Sequence, residues 1–463
     1  YEGNDESQWP QHETRLIAIN EGRLVDFLAS HRDGFPVLEP LIEQGLLDGQ
    51  AQSQVAVVNL NLRDVLAGTE QHPASIFERL IARMVDSKVW KGCDFCDLKD
   101  DCYVRYNVAT FQNEQSGPKV IERLKYLYSL TNLRNQMHIT LRDLRSALAY
   151  TLVGGHSCAE IREMYAQDDI QEILKGYYFN AWCGNHESGD RLLALLAEVD
   201  IAESSNVRMD RGLDFLGSPY VDWLSFADRS DFADQLLQKR HDELPVETSL
   251  SSGPERYSAH QAFVGMLRRK VYFELRGDEW QQMLVYHSAE NLLALLEPGA
   301  DLEQAKQTLI YAINRGEGLH NPKIFNGQLA MQVRRVERGT VKSYRVFPAD
   351  VFTMSVNDSA LNATFVERRP SKLMLSYVGE GGLRADLDLN LDLFEMLQRL
   401  NEGYIPSVEE LQGYYLSLTV FKNVLASAPY QEVLLTTNGR QYQKVSRKED
   451  GVLVLEHVEE ARA

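Results

Sequence analysis

Three of the five cysteines in this chain stand within ten residues of one another, in the segment CDFCDLKDDC. The spacing of Cys93, Cys96 and Cys102 places three soft thiolate donors close enough to share one metal. A four-donor site needs one more ligand. We expect Cys158 to supply it, because its Gly/His/Ser loop at a helix start favours a low thiol pKa. His156 in the same loop is the alternative donor.

The metal itself has two candidates, zinc and an iron–sulfur (4Fe-4S) cluster. The spacing is also similar to that of the iron–sulfur staples in certain DNA-processing nucleases. The letters DLK at 97–99 match part of a nuclease motif, but they lie between the cysteines rather than on a strand, so we predict no nuclease centre there. Cys183 follows an apolar run, and we interpret it as a buried small hydrophobe.

The composition limits the functions open to the chain. Its 463 residues include 48 Lys and Arg against 67 Asp and Glu, a formal charge of −19. Such a surface repels phosphate backbones, so any DNA contact must be a local basic patch. Two stretches have a local basic excess, with solvated faces as the alternative interpretation. They comprise Arg268, Arg269, Lys270 and Arg276, and then Arg334, Arg335, Arg338, Lys342 and Arg345.

No secretory leader and no apolar run of membrane-spanning length occurs in the sequence. Five cysteines are too few for a disulfide framework. These features predict a cytoplasmic protein without a membrane partner. The polar, loop-like stretch that begins at Tyr1 predicts that further sequence precedes it.

Two apolar segments near the start predict strands of a doubly wound sheet. The first is RLIAIN, which ends at Asn20, and the second is QVAVVNLNLRDVL, which begins near Gln54. Helical segments follow the first strand. A polar residue at the carboxyl end of a buried strand is where such sheets contact ligands, although Asn20 alone is also typical of a turn.

The segments that follow are helical in pattern. Ser75 is a candidate N-cap for a helix through SIFERLIARMVDSKVW, and Thr140 for one that ends at Gly154 and Gly155. Leucines at 141, 144, 148 and 152 form one stripe of the second helix. Both helices flank the cysteine segment.

The segment RLIAINEGRLVDFL resembles the fourth strand of an AAA+ ATPase module. That resemblance implies that Asn20 is a sensor beside the terminal phosphate of ATP with Mg. It also implies a second sensor near the start of a lid helix, for which Arg142 is the first choice and Arg145 the second. Arg32 is the nearest candidate for an arginine finger.

An ATPase of this kind needs a phosphate loop of pattern GxxxxGK followed by Ser or Thr. Residues 1–463 contain no such loop. We expect the loop and an acidic magnesium-binding strand to precede Tyr1. The alternative is a degenerate ATPase.

Four segments together resemble the DptF-type ATPases of DNA phosphorothioation-dependent restriction, a bacterial anti-phage defence. They are INEGRL, CDFC with its third cysteine, HITLRDLRSALAYTLVGG with a following Cys, and LFEMLQRLNEGYIPS. The resemblance implies a P-loop ATPase subunit that acts with partner proteins on invading DNA, in an oligomer or hetero-complex. A non-catalytic, metal-stabilised adaptor that binds DNA or a protein partner is the competing hypothesis.

The predicted fold begins with an α/β part, a partial AAA+-like parallel sheet. It continues with a helical region and a C-terminal α+β domain. The predicted domains are 1–70 for the ATPase core, 71–165 for the helical lid with its cysteine insert, 166–320 for a helical domain and 321–463 for a docking or regulatory domain. Alternating apolar and polar residues after Gly327 predict the strands of the last domain.

Overall fold

The protein divides into two compact units in the computed structural model. The helical unit comprises residues 1–132, 136–285 and 358–369, and the α+β unit comprises 133–135, 286–357 and 370–463. The residues that the structure describes are 9–10, 12–48, 54–69, 72–184, 189–204, 213, 232–244, 253–275, 277, 279–316, 319, 325, 327–334, 341–356, 366–405, 408–430, 432–439, 441–448 and 451–458.

The helical unit is built mainly from helices. Within its described residues, 3-10 turns cover Leu60–Leu62 and Lys91–Phe95. No described helix combines the length with the apolar composition that a bilayer crossing requires. The helices are α1 (Glu21–Ser30), α2 (Leu38–Asp48), α3 (Ile76–Met84), α4 (Tyr103–Gln112), α5 (Ser116–Leu133), α6 (Leu141–Val153), α7 (Cys158–Gln167), α8 (Ile170–Gly176), α9 (Tyr178–Ala181), α10 (Arg191–Ala197), α11 (Phe232–Asp242) and α12 (Gly253–Glu274).

Local sequence signals set the ends of the helices around the cysteine segment. Ser75, Thr140 and Ser157 each form a capping box with an acidic residue three positions later, at the start of α3, α6 and α7. Each box satisfies backbone N–H groups that a helix start leaves without partners. Helix α6 ends at Gly154, whose φ of 65° is left-handed and favours glycine. The predicted caps at Ser75 and Thr140 and the predicted stop at Gly154 are confirmed.

A buried asparagine of α4 links that helix to three others in the core of this unit. Asn107 of α4 donates from Nδ2 to the carbonyl oxygens of Leu152 (3.0 Å) and Gly176 (2.9 Å), and its Oδ1 accepts from the backbone N–H of Tyr178 (2.8 Å). At Gly176 the backbone lies so close to Tyr103 that a Cβ would stand 2.5 Å from the ring. Glycine is therefore required where α8 meets α4.

The α+β unit contains two antiparallel sheets. The larger has the order β1-β2-β6-β7-β8 and the smaller the order β3-β4-β5. A cluster of buried side chains that includes Tyr344, Leu434 and Tyr442 packs on one face of the larger sheet. The strands are β1 (Gln328–Arg334), β2 (Lys342–Pro348), β3 (Phe352–Val356), β4 (Leu373–Val378), β5 (Arg384–Leu389), β6 (Glu432–Thr436), β7 (Tyr442–Arg447) and β8 (Leu453–Val458), and the helices are α13 (Ala289–Leu296), α14 (Leu302–Gly316), α15 (Leu391–Asn401) and α16 (Val408–Ala426).

The parallel sheet predicted at the start of the chain does not form among the described residues. Residues 13–20 have no regular secondary structure, and Val55 makes only an isolated bridge. Leu16 is 99% exposed and Ile17 74% exposed. A buried parallel strand needs partner strands at its edges and cover on its faces, which the described residues do not provide here. The helical region and the C-terminal α+β part of the predicted fold are confirmed.

Candidate functional site: the thiol cluster and the predicted nucleotide residues

The three clustered cysteines lie on the short segment between α3 and α4. Cys93 is inside the 3-10 turn Lys91–Phe95, Cys96 follows that turn, and Cys102 precedes the first residue of α4. Cys158 is the first residue of α7. Cys183 is buried, and its Sγ lies 3.5 Å from the carbonyl oxygen of Asn180. The prediction that Cys183 is a buried small hydrophobe is thus confirmed.

The fold brings the remote cysteine to the cluster. Burial raises the pKa of the Cys93 thiol, and the neighbouring thiol of Cys158 raises that pKa further. Burial also raises the pKa of Cys102, with added contributions from Cys93 and Cys96. The four thiols therefore share one electrostatic neighbourhood, although 56 positions separate Cys102 from Cys158 in the sequence.

Helix α7 is fastened to the cysteine segment by two of its side chains. Arg162 lies one turn after Cys158, and its guanidinium is 3.7 Å from Sγ of Cys96. The Tyr165 hydroxyl accepts from the backbone N–H of Tyr103 (3.0 Å) and donates to the carbonyl oxygen of Asp101 (2.7 Å). The pKa of Cys96 is lowered, first by the backbone N–H of Leu98 and then by Arg162.

Sequence reasoning missed Arg162 and Tyr165. The available signal was the spacing of Cys158 and Arg162, four residues apart on one helix face. That spacing does not show which segment the face meets, because the cysteine segment is distant in the sequence.

The donor set suits a soft metal by its chemistry. Four thiols are the ligands that structural zinc and iron–sulfur clusters prefer. Within the described ranges, no three His, Cys, Asp or Glu side chains have an arrangement that could hold a metal ion as they stand. The alternative donor His156 lies within electrostatic range of Glu160 on α7. The structure thus assembles the thiols as neighbours, and the metal site stays a prediction.

Asn20 acts as a helix cap in the structure. Its side-chain oxygen accepts from the backbone N–H of Arg23 at 3.3 Å, at the start of α1. The next residue, Glu21, accepts through Oε2 from the side-chain amides of Asn59 (3.2 Å) and Asn61 (2.6 Å). The end of the first predicted strand therefore lies beside the turn within the second predicted segment.

The start of α6 is near the same region. Burial lowers the pKa of His138, an effect that Asp64 partly opposes, so these two side chains lie within electrostatic range of one another. Asp64 follows the Leu60–Leu62 turn, and His138 precedes α6. The candidate sensors Arg142 and Arg145 are both exposed on the first two turns of α6.

The candidate arginine finger Arg32 forms an ion pair with Glu39, seven positions later in the sequence. Its Nε lies 2.8 Å from Oε1 and 3.1 Å from Oε2 of Glu39. Its side chain is 70% exposed, whereas that of Glu39 is 8% exposed. Nothing in this arrangement assigns a ligand to Arg32, and its role stays a prediction.

The first basic stretch is neither a solvated face nor a row of free cations. Arg268 donates to the carbonyl oxygen of Ala202, and Arg269 pairs with Asp200 at 2.8 Å. Lys270 has no exposed side-chain surface and pairs with Glu274. The i,i+4 spacing of Lys270 and Glu274 was the sequence signal for an internal pair. Arg276 lies outside the described residues.

The described residues of the second basic stretch differ in burial. Arg345 is 3% exposed and lies in the interior of the α+β unit, whereas Lys342 is exposed. Arg335 and Arg338 lie outside the described residues, as does the side chain of Arg334. The side chains described at positions 268–270 and 345 make interior contacts, and DNA binding through basic patches stays a prediction.

Comparisons with known proteins add no relatives. No protein-family model, no curated protein and no solved structure matches this chain. The functional argument therefore depends on the residues and their geometry.

Proposed function

We propose that this chain belongs to an ATPase subunit of a bacterial DNA-restriction, anti-phage complex. In this proposal Asn20 and Arg142 respond to ATP with Mg, and the cysteine cluster stabilises the helical lid that carries Arg142. Nucleotide hydrolysis would control DNA or a partner nuclease. The proposal rests on the resemblance to DptF-type ATPases and on the arrangement around Glu21.

The observation that carries the proposal is the contact between the end of the first predicted strand and the turn within the second segment. Glu21 follows the end of the first segment and accepts hydrogen bonds from Asn59 and Asn61, which lie at the turn within the second segment. In α/β sheets ligands bind at the carboxyl ends of strands. The exposed apolar side chains of Leu16, Ile17 and Ile19 suit a segment that pairs with further strands of a sheet.

The position of α6 gives further support. The electrostatic effect of Asp64 on His138 indicates that the start of α6 lies near the second segment. Arg142 is exposed on α6 and would be able to meet a phosphate held nearby. Because residues 1–463 contain no phosphate loop, another stretch of polypeptide would hold the phosphates in this proposal.

The test is ATP hydrolysis by the natural full-length gene product and its variants. Asn20→Ser keeps an oxygen that can cap α1 but removes the amide, so a loss of activity would not reflect a lost cap. We expect Asn20→Ser and Arg142→Ala each to slow hydrolysis about 100-fold or more, with little change in ATP affinity. Arg384→Ala, an exposed arginine of the α+β unit, is the matched control and should hydrolyse ATP normally.

The second candidate is a non-catalytic, metal-stabilised adaptor. It is favoured by a specific observation, since the side-chain oxygen of Asn20 is already engaged by the helix N–H of Arg23. A full-length protein that contains metal but neither binds nor hydrolyses ATP would support the adaptor and exclude the ATPase.

The metal part of the proposal has its own test. Cys93, Cys96, Cys102 and Cys158 would hold zinc or a 4Fe-4S cluster, which would supply a structural cross-link between the α3–α4 segment and α7. We expect Cys96→Ser to lose bound metal and to lower the thermal stability of the protein, while Cys183→Ser keeps its metal. Visible absorbance distinguishes the cluster from zinc because only the cluster is coloured. Equal metal content in both variants would refute the assigned ligands.

A further inference from the structure

A cavity in the α+β unit lies beside the buried guanidinium of Arg345. Its volume is about 220 Å³, and its lining includes Arg345, Phe347, Tyr377, Pro429, Tyr430 and Glu432. These residues come from β2, β4, β6 and the segment after α16. Strands of both sheets thus contribute to the wall of one cavity.

Four of the five N–H groups of the Arg345 guanidinium donate hydrogen bonds to backbone carbonyl oxygens. Nη1 donates to the carbonyl oxygens of Leu425 (3.2 Å) and Ala426 (2.7 Å), and Nη2 donates to those of Ala428 (2.6 Å) and Pro429 (3.3 Å). These carbonyls belong to the last turn of α16 and the residues after it, where a cation is favoured. The fifth N–H, on Nε, is buried and has no acceptor among the residues that the structure describes.

Among the described residues, no carboxylate forms an ion pair with Arg345. Burial lowers the pKa of Arg345, and the groups named as opposing this effect are the phenols of Tyr430 and Tyr377 rather than carboxylates. The guanidinium carbon lies 4.5 Å from the ring centroid of Tyr430 and 5.1 Å from that of Phe347. Glu432 lines the cavity but pairs with Lys444. A buried cation without a counter-ion favours an anion in the space beside it.

The size and the walls of the cavity narrow the class of ligand. An apolar cavity of about 150 Å³ is enough to hold benzene, whereas sites for drug-sized ligands begin at about 300 Å³. A volume of about 220 Å³ is enough for one ring with one small substituent. Phe347, Tyr377 and Tyr430 offer aromatic surfaces that pack against such a ring.

We infer that this cavity binds a free aromatic carboxylate of single-ring size. The carboxylate would lie toward Arg345 and the ring would pack among the aromatic side chains. Neither the ATPase proposal nor the adaptor proposal depends on this site, since its residues all belong to the α+β unit and the nucleotide and thiol residues belong to the helical unit.

The test is a titration of the whole chain with para-fluorobenzoate, followed by fluorine NMR, beside its neutral isostere para-fluorobenzamide. We expect saturable binding of the benzoate with a dissociation constant of about 1 mM or tighter, and binding of the benzamide at least about 10-fold weaker. Tyr430 is 57% exposed, so Tyr430→Leu should fold normally and bind the benzoate at least about 5-fold more weakly. Arg345→Met should abolish binding if it folds.

Arg384→Met is the matched control, because it removes an exposed arginine of the same unit that does not line the cavity. Its affinity for the benzoate should equal that of the unmodified protein. Equal affinity for benzoate and benzamide would overturn the inference, because the charge would then have no role. The inference would also be overturned if Tyr430→Leu bound the benzoate as tightly as the unmodified protein does. The same holds if no binding is detected at a benzoate concentration 10-fold above the expected dissociation constant.

Discussion

The two units bury a cation in different ways. In the helical unit, the ammonium of Lys270 is buried with the carboxylate of Glu274, and Asp234 stands 3.4 Å from its Nζ. In the α+β unit, the guanidinium of Arg345 meets helix-end carbonyls and two aromatic rings. Full negative charges surround the first cation, while dipoles and ring faces surround the second.

This difference decides what each unit loses when its cation is removed. Without Lys270, Glu274 would be a buried carboxylate without its cation, which is costly in a low-dielectric interior. Without Arg345, the carbonyls of α16 would lose hydrogen bonds but no full charge would be stranded. We therefore expect the helical unit to depend more strongly on its buried cation.

The largest expected effect follows from Lys270→Met. This change leaves Glu274 buried without its partner, and we expect the free energy of unfolding to fall by about 3–5 kcal/mol. Urea denaturation followed by circular dichroism measures this loss. The double variant Lys270→Met/Glu274→Leu should recover most of it, because no carboxylate is then stranded at position 274.

Lys239→Met is the control for that experiment. Lys239 pairs with Asp168 at the surface, where both side chains are about half exposed. Exposed pairs of this kind contribute about 0–1 kcal/mol. If Lys270→Met costs no more than Lys239→Met, the contrast drawn between the two units is wrong.

A smaller effect is expected from Arg345→Met. The variant loses hydrogen bonds from a charged donor to the end of α16, and we expect the free energy of unfolding to fall by about 2–3 kcal/mol. The same denaturation experiment measures it. If Arg345→Met lowered the free energy of unfolding more than Lys270→Met does, the expectation that the helical unit depends more on its buried cation would be wrong.

The smallest effect is expected from Asp64→Asn in the helical unit, and it depends on pH. Burial raises the pKa of Asp64 above its ordinary value near 3.8. The folded protein therefore binds this proton more tightly than the unfolded chain does. The protonated carboxyl group of Asp64 stabilises the fold fully below the ordinary pKa, and this stabilisation is lost as the pH rises through the raised pKa of the folded state. At neutral pH the buried carboxylate lowers stability.

Asp64→Asn keeps an oxygen to accept the Leu66 N–H, which lies 2.8 Å from Oδ1 of Asp64. We expect the variant to be more stable than the unmodified protein at neutral pH, with a difference that shrinks as the pH falls below the ordinary pKa. Denaturant unfolding at neutral and acidic pH checks this. A difference that does not change with pH would mean that ionisation of Asp64 is not its cause.

The basic stretches show where prediction from sequence failed. Arg268, Arg269 and Lys270 were interpreted as a solvated or phosphate-binding face, because three adjacent cations are usually exposed. Asp200, the partner of Arg269, lies 69 positions earlier in the chain, so no local sequence pattern indicates that pair. Only the Lys270–Glu274 spacing was visible in the sequence, and it does not reveal burial.

The candidate site was predictable in its donors and unpredictable in its geometry. The C-x2-C-x5-C spacing and the loop at a helix start selected four thiols that lie in one electrostatic neighbourhood, and their role as metal donors stays a prediction. The contact between α7 and the cysteine segment depends on Arg162 and Tyr165, whose partners are more than 60 positions away. The strands predicted at 15–20 and near 54 do not form among the described residues, where Val55 makes only an isolated bridge, so apolar runs alone did not produce a sheet.

The sequence by itself determined the local features of this protein. Capping residues set the starts of α3, α6 and α7, glycine set the end of α6, and alternating side chains marked the strands of the α+β unit. These signals act over a few residues and need no distant partner. The tertiary structure alone decided which charges are buried, which carbonyl oxygens accept hydrogen bonds from Arg345, and which helix contacts the cysteine segment. Contacts of this kind join distant segments and form only when the chain packs.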